Sequence, residues 1–167
     1  MRRILIDERP FYIVKEEFLK ELDTFKLKTC PCCGQVAKKY KRSLTGAMAY
    51  ALILIYKKNK ENNNSFFHVE DYLKKIKNIP PSIRGDFPKL RFFNLIEKQK
   101  GRRDDGSNRV GYYRITQDGK DFVEMKLKVR KYIILYNNDF LKSDGDYINI
   151  KESLKKKFNY TELMETK

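Results

Sequence analysis

The chain has 167 residues, enough for one domain of ordinary size with a small appendage and for a real apolar core. Its 37 Lys and Arg against 22 Asp and Glu give a formal charge of +15, a field that draws polyanions, so nucleic acid suits it better than a small neutral substrate. A lysine-rich coding composition would raise the charge equally well, so charge alone names no partner.

The first nine residues lack the long apolar run and small-residue cleavage site of a secretory signal, which predicts a cytoplasmic protein. Ile4 to Ile6 and Phe11 to Val14 predict a short strand or extended segment. Phe18, Leu22 and Phe25 then recur at helical spacing, which predicts an amphipathic helix for packing or dimerisation. Lys26 to Arg42 carries six basic residues and no acidic one, a local positive patch.

Within that patch lies Cys30-Pro-Cys-Cys-Gly34. Cys30-x-x-Cys33-Gly is half of a zinc knuckle: the two-residue spacer sets two sulfurs about one tetrahedral edge apart, and the glycine lets backbone amides turn towards them. Zinc wants four ligands, Cys32 is constrained by adjacency, and the single His68 is distant. Either two chains each donate Cys30 and Cys33 across a dimer axis, or these are unmetallated cysteines of a tight turn. Three clustered cysteines do not build a disulfide framework, and zinc is the one cofactor in view.

Ser43 or Thr45 can cap the next helix, in which Leu44, Ala47, Met48, Ala51, Leu52, Ile55 and Tyr56 fall on one stripe. Its apolar run, Ala47 to Tyr56, is about half of the roughly 20 residues that a bilayer requires, so no membrane partner is expected. Lys57 to Ser65 is a polar tract with nothing to bury and predicts an exposed loop. His68 is expected as a partly buried structural residue ahead of a second helix, whose face is Val69, Tyr72, Leu73 and Ile76. Asn78-Ile-Pro-Pro-Ser82 is a turn, because prolines restrict their neighbours and lack a donor.

A third helix can start at Ser82 or Asp86, with Pro88 tolerated in its first turn, and end near Asn94, with Phe87, Leu90, Phe93 and Asn94 on one side. Leu95 to Lys100 has strand character, Gly101 to Gly111 reads as a hairpin tip, and Tyr112 to Ile115 returns as a strand. Thr116 caps a helix carrying Phe122, Val123 and Met125. Two further strands, Tyr132–Tyr136 and Tyr147–Ile150, are separated by a turn at Lys142 to Asp146, and a last helix covers Lys151 to Phe158.

Leu90-Arg-Phe-Phe-Asn-Leu-Ile-Glu97 before the hairpin and Tyr113-Arg-Ile-Thr-Gln-Asp-Gly119 after it carry a resemblance. Over residues 43–126 the chain resembles the winged helix-turn-helix DNA-binding families of bacterial regulators, and with the cysteine knuckle it is similar to small proteins encoded by bacteriophages and mobile elements. The expected fold is α+β: an N-terminal helical extension with the knuckle over 1–42, the winged-helix domain that the resemblance implies over 43–126, and, from the strand and helix patterns, a β-β-α appendage over 127–167 packed on the core.

It further implies that the third helix enters the major groove and that the wing meets phosphates or the minor groove. Arg84, Lys89, Arg91 and Phe92 would then serve the helix, and Arg102, Arg103 and Arg109 the wing. Double-stranded DNA is the implied partner, and a homodimer is one assembly that the knuckle and the amphipathic N-terminal helix leave open. A host protein or nucleoprotein complex is the alternative, for a module whose charges are merely solvated. Two features depart from the family pattern: Pro88 near the start of a short helix, and Asp104-Asp105 at the wing, which can pair with Arg102 and Arg103.

Enzymatic readings lack parts. There is one histidine, no Ser-His-Asp set, no phosphate-binding glycine loop and no paired carboxylates at a recognisable spacing, and Asp144, Asp146 and Lys151 are the nearest thing to a nuclease cluster. No catalytic residue is assigned, and a regulator of transcription is expected.

Overall fold

Helix α1 spans Phe11–Glu21 in the computed structural model, which describes residues 11–22, 26–31, 33–102, 106 and 110–165. The helical period thus begins earlier than expected, replacing the extended segment foreseen at Phe11 to Val14: Val14, Phe18 and Leu22 lie four apart and are all buried on one stripe. The strand expected at Ile4 to Ile6, and Phe25, lie outside the described residues.

The described residues divide into two compact units. One comprises those up to Arg42 together with Ile133–Lys142, and the other Ser43–Tyr132 together with those from Ser143 onward. In the smaller unit, β1 (Lys28–Thr29) and β2 (Val36–Ala37) pair antiparallel, Lys28 opposite Ala37 and Thr29 opposite Val36. Strand β3 (Tyr40–Ser43) follows.

The larger unit is built on α2 (Gly46–Glu61), capped by Thr45, whose Oγ1 accepts from the Met48 amide at 3.2 Å. Ala49 and Ile53 are buried as well as the expected stripe of Met48, Ala51, Leu52, Ile55 and Tyr56. A helix apolar on most of its circumference must be surrounded, and much of the unit packs against α2. It runs five residues beyond Tyr56, so Lys57 and Lys58 are helical and the polar tract is not wholly an exposed loop.

Strand β4 (Phe67–His68) leads into α3 (Val69–Lys75). Helix α4 (Ser82–Asp86) then passes into a 3₁₀ helix over Phe87–Phe93 with Pro88 in its first turn. The expected third helix is therefore one short α-turn followed by a tighter coil. Phe87, Leu90 and Phe93 are buried as foreseen, whereas Asn94 is exposed and left-handed (φ 59°), so it stops the helix instead of packing beneath it. Strands β5 (Ile96–Lys98) and β6 (Tyr112–Ile115) close an antiparallel sheet in the order β4-β6-β5, with Ile96 opposite Ile115 and Phe67 opposite Tyr113.

Helix α5 (Gln117–Val123) starts at Thr116, whose Oγ1 accepts from the Gly119 amide at 2.9 Å. Phe122 and Val123 are buried, but Met125 lies past the helix end at φ 61° and is exposed. The two motif segments clasp each other here: Thr116 donates through its amide to the Leu95 carbonyl (3.2 Å) and through its hydroxyl to that of Asn94 (2.6 Å). Asn94 Nδ2 donates to Asp118 Oδ2 at 2.7 Å. A Cβ on Gly119 would stand 2.1 Å from the Leu95 carbonyl oxygen, so this position admits no side chain.

Strands β7 (Val129–Tyr136) and β8 (Asp139–Ile148) belong to a second sheet ordered β3-β7-β8. They turn at Asn137-Asn138 (φ 49° and 61°), not at Lys142 to Asp146, because two consecutive left-handed residues make the two-residue turn that matches strand twist. Lys142 to Asp146 lies inside β8. Helix α6 (Ile150–Leu154) begins in a reciprocal capping box between Asn149 and Glu152 and stops where Lys155 turns to φ 58°. The single last helix expected is thereby broken, and α7 (Tyr160–Glu165) follows. The fold is mixed α+β with small open sheets. No helix among the described residues is long and apolar enough to cross a membrane.

Candidate nucleic-acid interface

The 3₁₀ helix places Arg91 and Phe92 at its solvent-facing end, between the buried Leu90 and Phe93. The guanidinium of Arg91 lies over the Phe92 ring, 4.6 Å from its centre, a cation–π contact that orients a long side chain before any ligand arrives. Immediately beyond, β5 and the residues after it run along the same hollow of about 670 Å³, lined by Arg91, Phe92, Lys98, Lys100 and the backbone around Gly101. Lys98 and Lys100 are both exposed.

Glu97 also borders this hollow, but its Oε1 accepts from Arg114 Nε at 2.5 Å across the β5–β6 pair. That pairing turns the Glu97 carboxylate towards another cation. Among the described residues none forms an ion pair with Arg91, Lys98 or Lys100.

The other residues singled out from the sequence do not all converge there. Lys89 is half-buried and bound to Asp86 one turn earlier. Arg84 is half-buried on α4, its Nε enclosed and without a hydrogen-bond partner, and its charge acts on Lys74 of α3. Arg102 is exposed beside Gly101, which has φ 104°. Arg103 and Arg109, with Asp104 and Asp105, lie outside the described residues. Lys98 and Lys100 were missed as site residues, although the alternation Glu97-Lys98-Gln99-Lys100 in a predicted strand already puts both lysines on one face.

His68 is structural. Its Nδ1 accepts from the Asp71 amide at 3.3 Å and sits 3.0 Å from Asp71 Oδ2, while the ring meets Tyr112 edge-on at 5.2 Å. Asp144 and Asp146 sit on β8, and Lys151 lies over the Tyr160 ring at 5.3 Å, so the loose carboxylate cluster foreseen on a turn is spread along a strand and a helix.

In the smaller unit, the knuckle is closed by the Cys30 amide donating to the Gln35 carbonyl (2.7 Å) and the Gly34 amide donating to that of Cys30 (2.9 Å), with Gly34 left-handed at φ 72°. Cys30 is half-buried and Cys33 exposed, and both stand beside Tyr136. Burial raises the Tyr136 phenol, and the charge of thiolates at Cys30 and Cys33 raises it further. Cys32 lies outside the described residues.

No family model, curated protein or solved structure matches the chain.

Proposed function

We propose that this chain is a non-enzymatic protein that binds duplex DNA through a winged helix-turn-helix over residues 43–126, as a transcriptional regulator of the kind bacteriophages and mobile elements encode. In this reading α2, α3 and α4 with its 3₁₀ continuation are the three helices, Pro80-Pro81 lies in the turn, and β5 and β6 are the strands of the wing. The element order and the sheet order β4-β6-β5 support it.

The observation that carries the reading is the cluster of Arg91, Lys98 and Lys100 around one hollow, with Phe92 holding Arg91 in place. A guanidinium can donate two parallel hydrogen bonds to guanine O6 and N7, and an apolar ring can meet a thymine methyl. Lys98 and Lys100 suit phosphates, which position a protein without reading sequence. Lys89, held by Asp86, and Arg84, half-buried with its Nε enclosed, contribute less than an equal share of the charge.

Gel-shift titration against a pool of random duplexes at two salt concentrations tests this. Affinity should fall steeply as salt rises, because bound phosphates release counterions, and Arg91→Ala should weaken binding and relax sequence preference. If no duplex is retarded at low salt, the reading fails, and the partner is then a host protein or nucleoprotein complex.

A further inference from the structure

Cys30 and Cys33 stand in the loop that joins β1 to β2, and neither is in a disulfide. Both line the same hollow of about 270 Å³, together with Phe18, Tyr136 and Leu141. A two-residue spacer, a left-handed glycine directly after it and a short antiparallel pair on either side make the turn in which two thiolates are offered to one tetrahedral ion. Two sulfurs fill half of such a site. Among the described residues no group of three or more His, Cys, Asp and Glu lies close enough together to hold a metal.

A second observation concerns the surface of the same unit. Leu27 and Val36, on either side of the knuckle, are 64% and 62% exposed, and Phe140 and Leu141 on the β7–β8 hairpin are also exposed. Leu27 and Val36, two exposed apolar side chains at the paired strands that flank the knuckle, suit a surface that association covers. In a two-fold contact each copy presents the same patch, so a pair of ligands becomes four without any other residue type.

We propose that two copies of this chain meet at the knuckle about a two-fold axis, Cys30 and Cys33 of each supplying the four sulfur ligands of one Zn²⁺. Coordination displaces the thiol protons to solvent. Four thiolates around one divalent ion leave net negative charge, which Lys38, lining a neighbouring hollow with both cysteines, offsets. Without the metal, two chains of formal charge +15 repel one another, so association depends on the ion. The assignment concerns the smaller unit and stands or falls apart from DNA binding.

Co²⁺ titrated into the reduced full-length chain provides the probe. Thiolate-to-cobalt charge-transfer absorption and the visible bands of a tetrahedral site should saturate at one ion per two chains. Mass by light scattering should double at the same endpoint, return to the monomer value with a chelator, and double again on adding Zn²⁺. Cys30→Ser and Cys33→Ser should each abolish both signals, and Cys32→Ser neither. Saturation at one ion per chain with no change in mass, signals lost with Cys32→Ser, or no tetrahedral thiolate spectrum in the unsubstituted chain would each overturn the assignment. The chelator arm uses the unsubstituted chain, so a folding defect in a variant cannot imitate the expected result.

Discussion

Asn59 makes three hydrogen bonds from a position only 2% exposed. Its Oδ1 accepts from the Ile115 amide at 2.8 Å, and its Nδ2 donates to the Ser65 carbonyl at 2.9 Å and to Asn62 Oδ1 at 3.0 Å. One side chain thus ties the end of α2 to β6 and to the loop that follows the helix. Asn59→Ala leaves the Ile115 amide without its partner in a dry setting, so it should lower the free energy of unfolding by about 1–3 kcal/mol, read by urea denaturation with an unchanged slope. In the sequence Asn59 sits in a polar tract that reads as loop. Its principal partner is 56 residues away, and no local pattern announces a bond of that range. Gly119 was visible as part of a motif, but the reason for a glycine appears only where α5 starts against the Leu95 carbonyl.

At the scale of elements, apolar spacing located α2, α3, β5 and β6, and side-chain chemistry foresaw the Thr45 and Thr116 caps. Spacing could not foresee the 3₁₀ continuation of α4, since Phe87, Leu90 and Phe93 are three apart and suit either coil. That coil makes β5 a neighbour of Arg91. Lys98→Ala with Lys100→Ala should therefore weaken duplex binding and reduce the slope of log affinity against log salt by about 2, since each phosphate no longer neutralised removes about 0.9. Lys57→Ala with Lys58→Ala, on α2, should leave that slope unchanged.

A second element-level link joins α2 to the end of α5. Tyr56 donates to Glu124 Oε1 at 2.7 Å, and Lys126 lies 2.5 Å from the other carboxylate oxygen. Lys126 first, and Tyr56 second, hold the Glu124 carboxyl below its ordinary range. A carboxyl whose proton affinity is lower folded than unfolded stabilises the fold above its unfolded value and loses that stabilisation as pH falls through the folded one. Stability should therefore drop as the solution is acidified from the usual carboxylate range downward, and Glu124→Gln should flatten that part of a thermal-melt-against-pH profile.

Over the whole molecule, composition shifts near Arg42, where a basic, cysteine-bearing segment gives way to a capped apolar helix. The destination of the C-terminal strands was not legible in that way. Asn137-Asn138 and Lys142 to Asp146 both read as turn chemistry, and only pairing decides which of them reverses the chain. The candidate site was legible to the same degree: Arg91 and Phe92 from the helical face, but neither the clasp that occupies Lys89 nor the burial of Arg84, both of which depend on tertiary neighbours. The smaller unit draws on two stretches separated by the entire helical core, since Ile133–Lys142 completes what the residues up to Arg42 begin. On a translating ribosome the stretch up to Arg42 is made well before the hairpin that completes its unit, and Val14 and Phe18, which share a hollow with that hairpin, stay uncovered in the meantime. The earlier stretch thus matures later, and a nascent chain stalled before Ile133 leaves those apolar side chains exposed.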